Sequence, residues 1–119
     1  RVAADKPLRN DIKIGTVYPI FKGAAGKIFG AYLGGFKDAD MSASESAQIR
    51  HDGYVVTRGN RVPDAASMAV PIFSFGNKLE AVLTISGPIG DYTEEHVNEY
   101  LSVMMAVGQT ISKQMGATL

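Results

Sequence analysis

The most constraining feature of this chain is a pair of apolar runs on either side of Gly76-Asn77, in the segment AASMAVPIFSFGNKLEAVLTISGP (residues 65–88). Glycine at the first of two central positions suits a type II′ turn, so the pattern predicts a β-hairpin. If Gly76 and Asn77 are the two turn residues, the numbers of any two directly paired residues add up to 153. This register places Ser67 opposite Ser86.

The two faces of this predicted hairpin differ in chemistry. Side chains alternate between the faces of a strand, so Ser67, Thr84 and Ser86 share one face. The opposite face is apolar and carries Met68, Val70, Ile72, Ala81, Leu83 and Ile85. Three hydroxyl groups can donate several hydrogen bonds without carrying charge, which suits a small carboxylate or carbonyl compound. An ordinary solvated sheet face fits the same residues, and the pattern alone leaves both interpretations open.

Composition predicts a single globular domain over residues 1–119. Hydrophobic residues make up 45% of the chain and charged residues 20%, which is ordinary for that class. The 12 basic and 12 acidic residues cancel, so DNA binding by this chain alone is not expected. The lack of cysteine excludes disulfides and thiolate chemistry. No apolar run approaches the ~18 residues that span a bilayer and no signal-peptide pattern opens the chain, so we expect a cytoplasmic protein without membrane contact.

Capping and turn signals predict an α+β fold in which helices pack on an antiparallel sheet. They divide the chain into a strand at 8–14, a helix at 24–33, a short helix from Ser42 or Ser44 to Ile49, a strand at 53–58, the hairpin, and a final helix from Asp91 or Thr93 towards Gly116. Pro71 cannot donate a hydrogen bond to a ladder, so its strand should have an open side or a bulge at that point.

The final helix is predicted to lie on the sheet. Its apolar residues recur at spacings of 4, 3, 4, 3 and 4: Val97, Leu101, Met104, Gly108, Ile111 and Met115. This seam extends over about five turns. Gly108 in the seam disfavours a continuous coiled coil, and pairing with another helix is the alternative interpretation.

The segment GAAGKIFGAYLGG (residues 23–35) begins with small residues, which leave the first N–H groups of its helix open to an approaching anion. Gly26 and Gly30 lie on one helical face, where the missing side chains permit close packing on a sheet. Anion binding at Ala24 and Ala25, or tight packing alone, would each account for this composition.

The pattern of nucleophiles and metal-ligating residues argues against an enzyme. Nucleophilic catalysis would need a base beside one of the hairpin serines. The two histidines, His51 and His96, fall in predicted helix turns beside charged residues and are expected at the surface. Two separated histidines without cysteine do not give a metal-binding spacing. We therefore expect no catalytic residue, no metal and no cofactor.

Four segments, taken in chain order, match a known pattern. They are GAAGKIFGAYL, IRHDGYVV, the pair SMAVPIF and AVLTISGP, and LSVMMAVGQTISKQMG. The first three resemble the "tAlGKalLA" helix, the "ir.qGYa.d" segment and the "ciAaPvfd…aalsvSGP" hairpin of the effector-binding domain of IclR-type bacterial transcriptional regulators. The fourth resembles the closing helix of that domain. The resemblance runs from about Pro7 to Gly116.

This resemblance implies a GAF-like fold and an effector-sensing role. In full-length members a separate winged helix-turn-helix domain binds operator DNA, as dimers or tetramers. The resemblance places that domain, together with the first helix and strands of the effector domain, outside this chain. The family's effector pocket corresponds to ligand-binding residues Ala24, Ala25, Ser67, Thr84 and Ser86. In our own interpretation of the chain, Leu8, Ile12, Val17 and Tyr18 close the apolar side of this pocket.

Two departures from the family pattern affect the implied pocket. Ten positions before the strand residue that is Ser67 here, the family often has an acidic residue, and this chain has Thr57. In the loop between these two positions, Asn60 and Asp64 replace a Glu and a Gly that are frequent in the family. The leading hypothesis is a domain that binds a small organic acid. Binding would shift the population of arrangements of a homo-dimer or tetramer, in which a separate domain binds DNA. The alternative is a GAF-like oligomerisation module with no functional ligand pocket.

Overall fold

Three helices and a three-stranded antiparallel sheet make up the described part of the computed structural model, residues 23–34, 41–60 and 62–118. The elements are α1 (Gly23–Leu33), α2 (Ala43–Asp52), β1 (Val55–Arg58), β2 (Ala65–Phe73), β3 (Leu79–Pro88) and α3 (Glu94–Gln114), with a 3₁₀ turn at Ile89–Asp91 before α3. The strands are ordered β1-β2-β3. The α+β prediction and the order of these elements are confirmed. The strand predicted at 8–14 lies outside the described residues.

Side-chain caps fix the ends of the two later helices. The N–H of Glu45 donates to Ser42 Oγ (3.0 Å) at the start of α2, and Gly53 ends that helix with a φ of +78°. The N–H of His96 donates to Thr93 Oγ1 (3.2 Å) at the start of α3. Ser42 and Thr93 are therefore the capping residues among the predicted alternatives.

The register between β2 and β3 agrees with the prediction over most of its length. Ser67 pairs with Ser86 and Ala69 with Thr84, and the same register holds as far as Ile72. β1 pairs with Ala66–Ala69, so at Pro71 the central strand has β3 as its one partner among the described strands. Within the described residues this agrees with the expected open side at the proline.

The predicted type II′ turn is wrong. A bulge between Ile72 and Phe73 shifts the register by one residue. Gly76 (φ +78°) and Asn77 (φ +55°) both have a positive φ, whereas a type II′ turn has a positive φ at its first central residue alone. At this bulge the N–H of Phe73 donates to the buried Ser112 Oγ of α3 (2.9 Å), a partner outside the hairpin.

The sheet separates two apolar clusters. On one side, which we call the α1 side, the buried residues are Ala24, Ile28, Ala31, Met41, Ile49, Val55 and Ala69. On the other, the α3 side, they are Ala66, Met68, Val70, Tyr92 and Met104, with Val97, Leu101, Leu83 and Ile85 among the half-buried residues packed against them. The hydroxyl-bearing face of the hairpin is thus the α1 side, and the apolar face packs on α3.

The seam of α3 faces the sheet, which confirms the prediction of sheet packing. Met104 and Gly108 are buried, and a Cβ added at Gly108 would lie 3.1 Å from Val70 Cγ2. The seam differs at its end, where Ser112 is buried and Met115 is 41% exposed. The buried Ser112 hydroxyl has a polar partner at this point, because it accepts the hydrogen bond from the Phe73 N–H at the bulge.

Tyr92 lies in the α3-side cluster and should make stability depend on alkaline pH. Burial, with smaller contributions from Tyr100 and Asp91, raises the pKa of Tyr92 to about 12. The unfolded chain should release this proton near pH 10, so the contribution of Tyr92 to stability is complete below pH 10 and is lost as the pH rises towards 12. We expect the ionisation of Tyr92 in the unfolded chain to lower the free energy of unfolding by about 1 kcal/mol between pH 10 and 11.

Urea unfolding of the wild type and of Tyr92→Phe at pH 9 and pH 11 would measure this contribution. The phenylalanine variant should lose less stability over the same range. An equal loss in both proteins would contradict the assignment to Tyr92.

Among the described residues, no helix is both long enough and apolar enough to cross a membrane.

Candidate ligand-binding site

A row of three hydroxyl side chains crosses the sheet on its α1 side. Thr57 of β1 pairs with Ser67 of β2, which pairs with Ser86 of β3. Neighbouring strands lie ~4.8 Å apart, so the three hydroxyls of this hydroxyl row can contact a single small molecule. Thr57 is buried, Ser67 is half-buried and Ser86 is exposed. The row is therefore accessible from its β3 end.

Thr84 lies on the same side of the sheet, two residues before Ser86, and is exposed. It is opposite Ala69, which is fully buried in the α1-side cluster. The structure thus brings the predicted residues Ser67, Thr84 and Ser86 onto one surface. Their role in binding a ligand stays a prediction.

The N-terminus of α1 adjoins the end of β1. The N–H of Gly23 donates to Asn60 Oδ1 (2.8 Å), and Asn60 follows the last residue of β1 by two positions. Ala24 is buried and Ala25 is half-buried, so both predicted amide donors lie in the first turn beside this junction. This hydrogen bond ties the first turn of α1 to the strand that carries Thr57.

Of the described groups at this junction, the backbone amide of Gly23 and the side chain of Asn60 carry no formal charge. α1 has no acidic residue in its first turn, and the side chain that caps it is a neutral amide. The partial positive charge of a helix N-terminus is therefore not neutralised by a carboxylate from these residues. Neutral O–H donors and backbone N–H donors around such an end form an arrangement that can bind a small anion.

Sequence reasoning missed the roles of Thr57 and Asn60. Both depart from the family pattern, but the structure places Thr57 in the hydroxyl row and makes Asn60 the partner of Gly23. The position of Thr57 could have been found by extending the strand alternation from the hairpin to β1. The contact of Asn60 with Gly23 spans 37 residues and has no local signal. Tyr18 lies outside the described residues.

A cleft of about 130 Å³ lies elsewhere, between α3 and the part of β2 beyond its pairing with β1. Its lining is mostly apolar, with Tyr32, Gln109 and Ser112 as the side chains that bear polar groups. Burial raises the pKa of Tyr32, and the nearby Arg50 partly opposes that effect. Of the predicted ligand residues that the structure describes, none lines this cleft.

The histidines lie at the surface, as predicted. His51 Nδ1 is 3.3 Å from Asp52 Oδ1, and His96 Nδ1 is 3.0 Å from the Asp91 carbonyl oxygen. In the described portion of the chain, no group of three or more His, Cys, Asp or Glu residues could hold a metal ion.

Comparison with known proteins identifies one family. Residues 36–113 match the family model described as bacterial transcriptional regulator IclR C-terminal. A transcriptional regulator of the IclR family from Rhodococcus sp. has 25% identity and a TM-score of 0.83, with 94% of this chain and 49% of that protein covered. The IclR transcriptional regulator of Alicyclobacillus acidocaldarius has 19% identity and a TM-score of 0.80, with 97% and 54% covered.

A third similar structure is the C-terminal domain of a transcriptional regulator from Vibrio cholerae, with 21% identity, a TM-score of 0.72, and 88% of this chain and 71% of that one covered. The chain thus spans about half the length of the first two regulators. No curated protein sequence matches it.

Proposed function

Since the chain belongs to the IclR family of bacterial transcriptional regulators, whose C-terminal domain it matches, we propose that it is a ligand-sensing domain for a small organic acid. The family's members and the similar structures are transcriptional regulators, in agreement with the prediction that the chain is not an enzyme. The ligand would bind across the hydroxyl row, with its carboxylate towards the first turn of α1.

One observation supports this proposal: Thr57, at one end of the hydroxyl row, lies three residues before Asn60, whose Oδ1 accepts the hydrogen bond from the N–H of Gly23 at the start of α1. The carboxylate would accept hydrogen bonds from the Ala24 and Ala25 amides and from the Ser67, Thr84 and Ser86 hydroxyls. Thr57 extends the same set of donors. These hydrogen-bond donors carry no formal charge. The partial positive charge of the helix N-terminus is therefore what favours a small anion as the ligand.

Ligand binding would change the affinity for DNA indirectly, through a separate DNA-binding domain of the same regulator. A winged helix-turn-helix domain separate from these 119 residues would bind the operator, and the regulator would be a homo-dimer or tetramer. The ligand would shift the population of arrangements that set the spacing of the DNA-binding domains. The proposal requires no covalent step and no cofactor.

A thermal-shift screen against small carboxylates tests this proposal. Glyoxylate, pyruvate, sugar-derived keto acids and aromatic acids cover the chemistry, and a ligand at 100 times its dissociation constant should stabilise the fold by roughly 2.7 kcal/mol. Ser67→Ala should weaken binding by ~1 kcal/mol, about fivefold, for one lost hydrogen bond. Ser44→Ala, an exposed serine on α2, is the matched control and should leave affinity unchanged.

Two further variants distinguish the hydroxyl row from the α3 cleft as the place where the ligand binds. Asn60→Asp keeps an acceptor for the Gly23 N–H but adds a negative charge, so it should weaken a carboxylate ligand more than its neutral amide analogue. Gln109→Ala, in the separate cleft, should have no effect. Binding that depends on Gln109 and not on Ser67 would contradict the site. A flat screen with folded protein would favour the oligomerisation module without a pocket.

A further inference from the structure

The cleft beside Pro71 lies where the central strand has lost one of its neighbours. β1 pairs with residues 66–69 of β2, so no described strand covers that side of β2 at Pro71. Gly108 of α3 faces the cleft without a side chain, and Tyr32 near the end of α1 and Gly53 at the end of α2 also line it. All three helices and the central strand thus contribute to this space of about 130 Å³.

The walls of the cleft are mostly apolar. They include Val70, Pro71, Phe73 and Met105, and the ring of Tyr32 packs edge-on against that of Phe73, with centroids 5.4 Å apart. None of the described residues that line the cleft is Lys, Arg, Asp or Glu. Burying an ion without an opposite charge is costly, so the cleft excludes carboxylates and ammonium groups.

Two hydroxyl groups give the cleft unused hydrogen-bond donors. Ser112 lines the cleft and is 2% exposed, and its Oγ accepts the hydrogen bond from the Phe73 N–H (2.9 Å). A hydroxyl can also donate, but within the described residues Ser112 Oγ donates to no acceptor, and the hydroxyl of the half-buried Tyr32 makes no hydrogen bond. Buried polar groups are generally satisfied, so these donors require an acceptor in the cleft.

From these observations we propose that the cleft is a second ligand site, which binds an uncharged carbonyl compound of about the size of a single six-membered ring. A dry cavity of ~150 Å³ in another protein holds benzene, so the volume suits a molecule of this size. The carbonyl oxygen accepts from Ser112 and Tyr32, and the ring contacts the apolar walls. Water would also satisfy the hydroxyls, but it would leave those walls in contact with solvent.

This second site differs from the hydroxyl row in its place and in the charge that it accepts. Of the hydroxyl-bearing residues Thr57, Ser67, Thr84 and Ser86, none lines the cleft. The hydroxyl row adjoins the first turn of α1, whereas Tyr32 brings the last turn of that helix to the cleft. A carboxylate suits the first site and an uncharged carbonyl compound the second, so either proposal can fail while the other stands.

An NMR titration of the backbone amides of the 119-residue chain with cyclohexanone tests the second site. We expect saturable shifts at Gly53, Phe73 and Gly108, with a dissociation constant of about 1 mM for so small a ligand. Cyclohexanecarboxylate should leave these amides unchanged, because its charge cannot be buried there. Absent shifts, or shifts spread over the surface without saturation, would overturn the inference. A cleft filled by another segment of the chain would give that same negative result.

Two variants of the cleft residues and their matched controls locate the binding. Tyr32→Phe removes one donor but keeps the ring on Phe73, so it should weaken cyclohexanone binding about fivefold, whereas Tyr100→Phe, outside the cleft, should not. Gly108→Ala adds a methyl group to the wall and should also weaken binding. Gly90→Ala is its control, since a Cβ there has no atom within 4 Å. Unchanged affinity in either cleft variant would overturn the inference.

Discussion

Replacing Gly108 with leucine should destabilise the fold by about 3 kcal/mol and lower the melting midpoint by roughly 10 °C. Gly108 is the point at which α3 approaches β2, and a Cβ there would already lie 3.1 Å from Val70 Cγ2 and 3.7 Å from the Pro71 carbonyl oxygen. The further atoms of a leucine side chain have no space between a helix and the central strand. The helix would have to move away from the sheet and expose part of the α3-side cluster.

Two companion variants make this prediction specific to the close approach. Gly108→Ala adds only the Cβ, and the strain of that contact is offset by a gain in helix propensity of ~1 kcal/mol, so the net change should be small. Gln109→Leu adds the same side chain at the neighbouring exposed position and should change stability by less than ~0.5 kcal/mol. Thermal or urea unfolding distinguishes the three. A Gly108→Leu protein as stable as wild type would contradict the described packing of α3.

Truncation of Ile28 to alanine should cost about 3–4 kcal/mol. Ile28 is 0% exposed and belongs to the cluster that joins α1 to Val55 of β1 and Ala69 of β2. An ion pair between Lys27 Nζ and Glu45 Oε1 (2.7 Å) also holds α1 to α2. This contact restricts the movement of α1 that would be needed to fill the cavity. The variant should also loosen the first turn of α1 and so weaken binding of the proposed ligand.

Leu33→Ala provides the control within the same helix. Leu33 is at the last position of α1 and is 63% exposed, so its truncation should cost less than ~0.5 kcal/mol. Urea unfolding of both variants gives the comparison. Equal stabilities would mean that α1 is not anchored to the sheet through Ile28.

The parts of the fold that could be predicted are those with local signals. Ser42 and Thr93 begin helices because a short side-chain acceptor satisfies backbone N–H groups within three residues. The β2–β3 register followed from two apolar runs and one turn, because a register error of one residue would expose the apolar face. Hence the common surface of Ser67, Thr84 and Ser86 was predictable before the fold was known.

What could not be predicted depends on contacts between distant residues. The predicted hairpin turn was wrong because a bulge between Ile72 and Phe73 shifts the register, and at that bulge the Phe73 N–H donates to Ser112, 39 residues further along the chain. The apolar seam of α3 also ends before Met115, which is 41% exposed, while Ser112 is buried. The role of Asn60 was missed because its partner, Gly23, lies at the start of another element. Local patterns contain no information about such pairs.

The hairpin loop is fastened to the end of α3. The Phe75 N–H donates to the Met115 carbonyl oxygen (3.1 Å), and the Thr118 N–H donates to Asn77 Oδ1 (3.0 Å). The loop of the hairpin has only a few residues, and hairpins form within microseconds. The two hydrogen bonds to the end of α3 instead close chain segments of about 40 residues, which costs more chain entropy. The order of folding follows from this difference. We expect the β2–β3 pair to form early and its loop to acquire its final conformation when α3 docks.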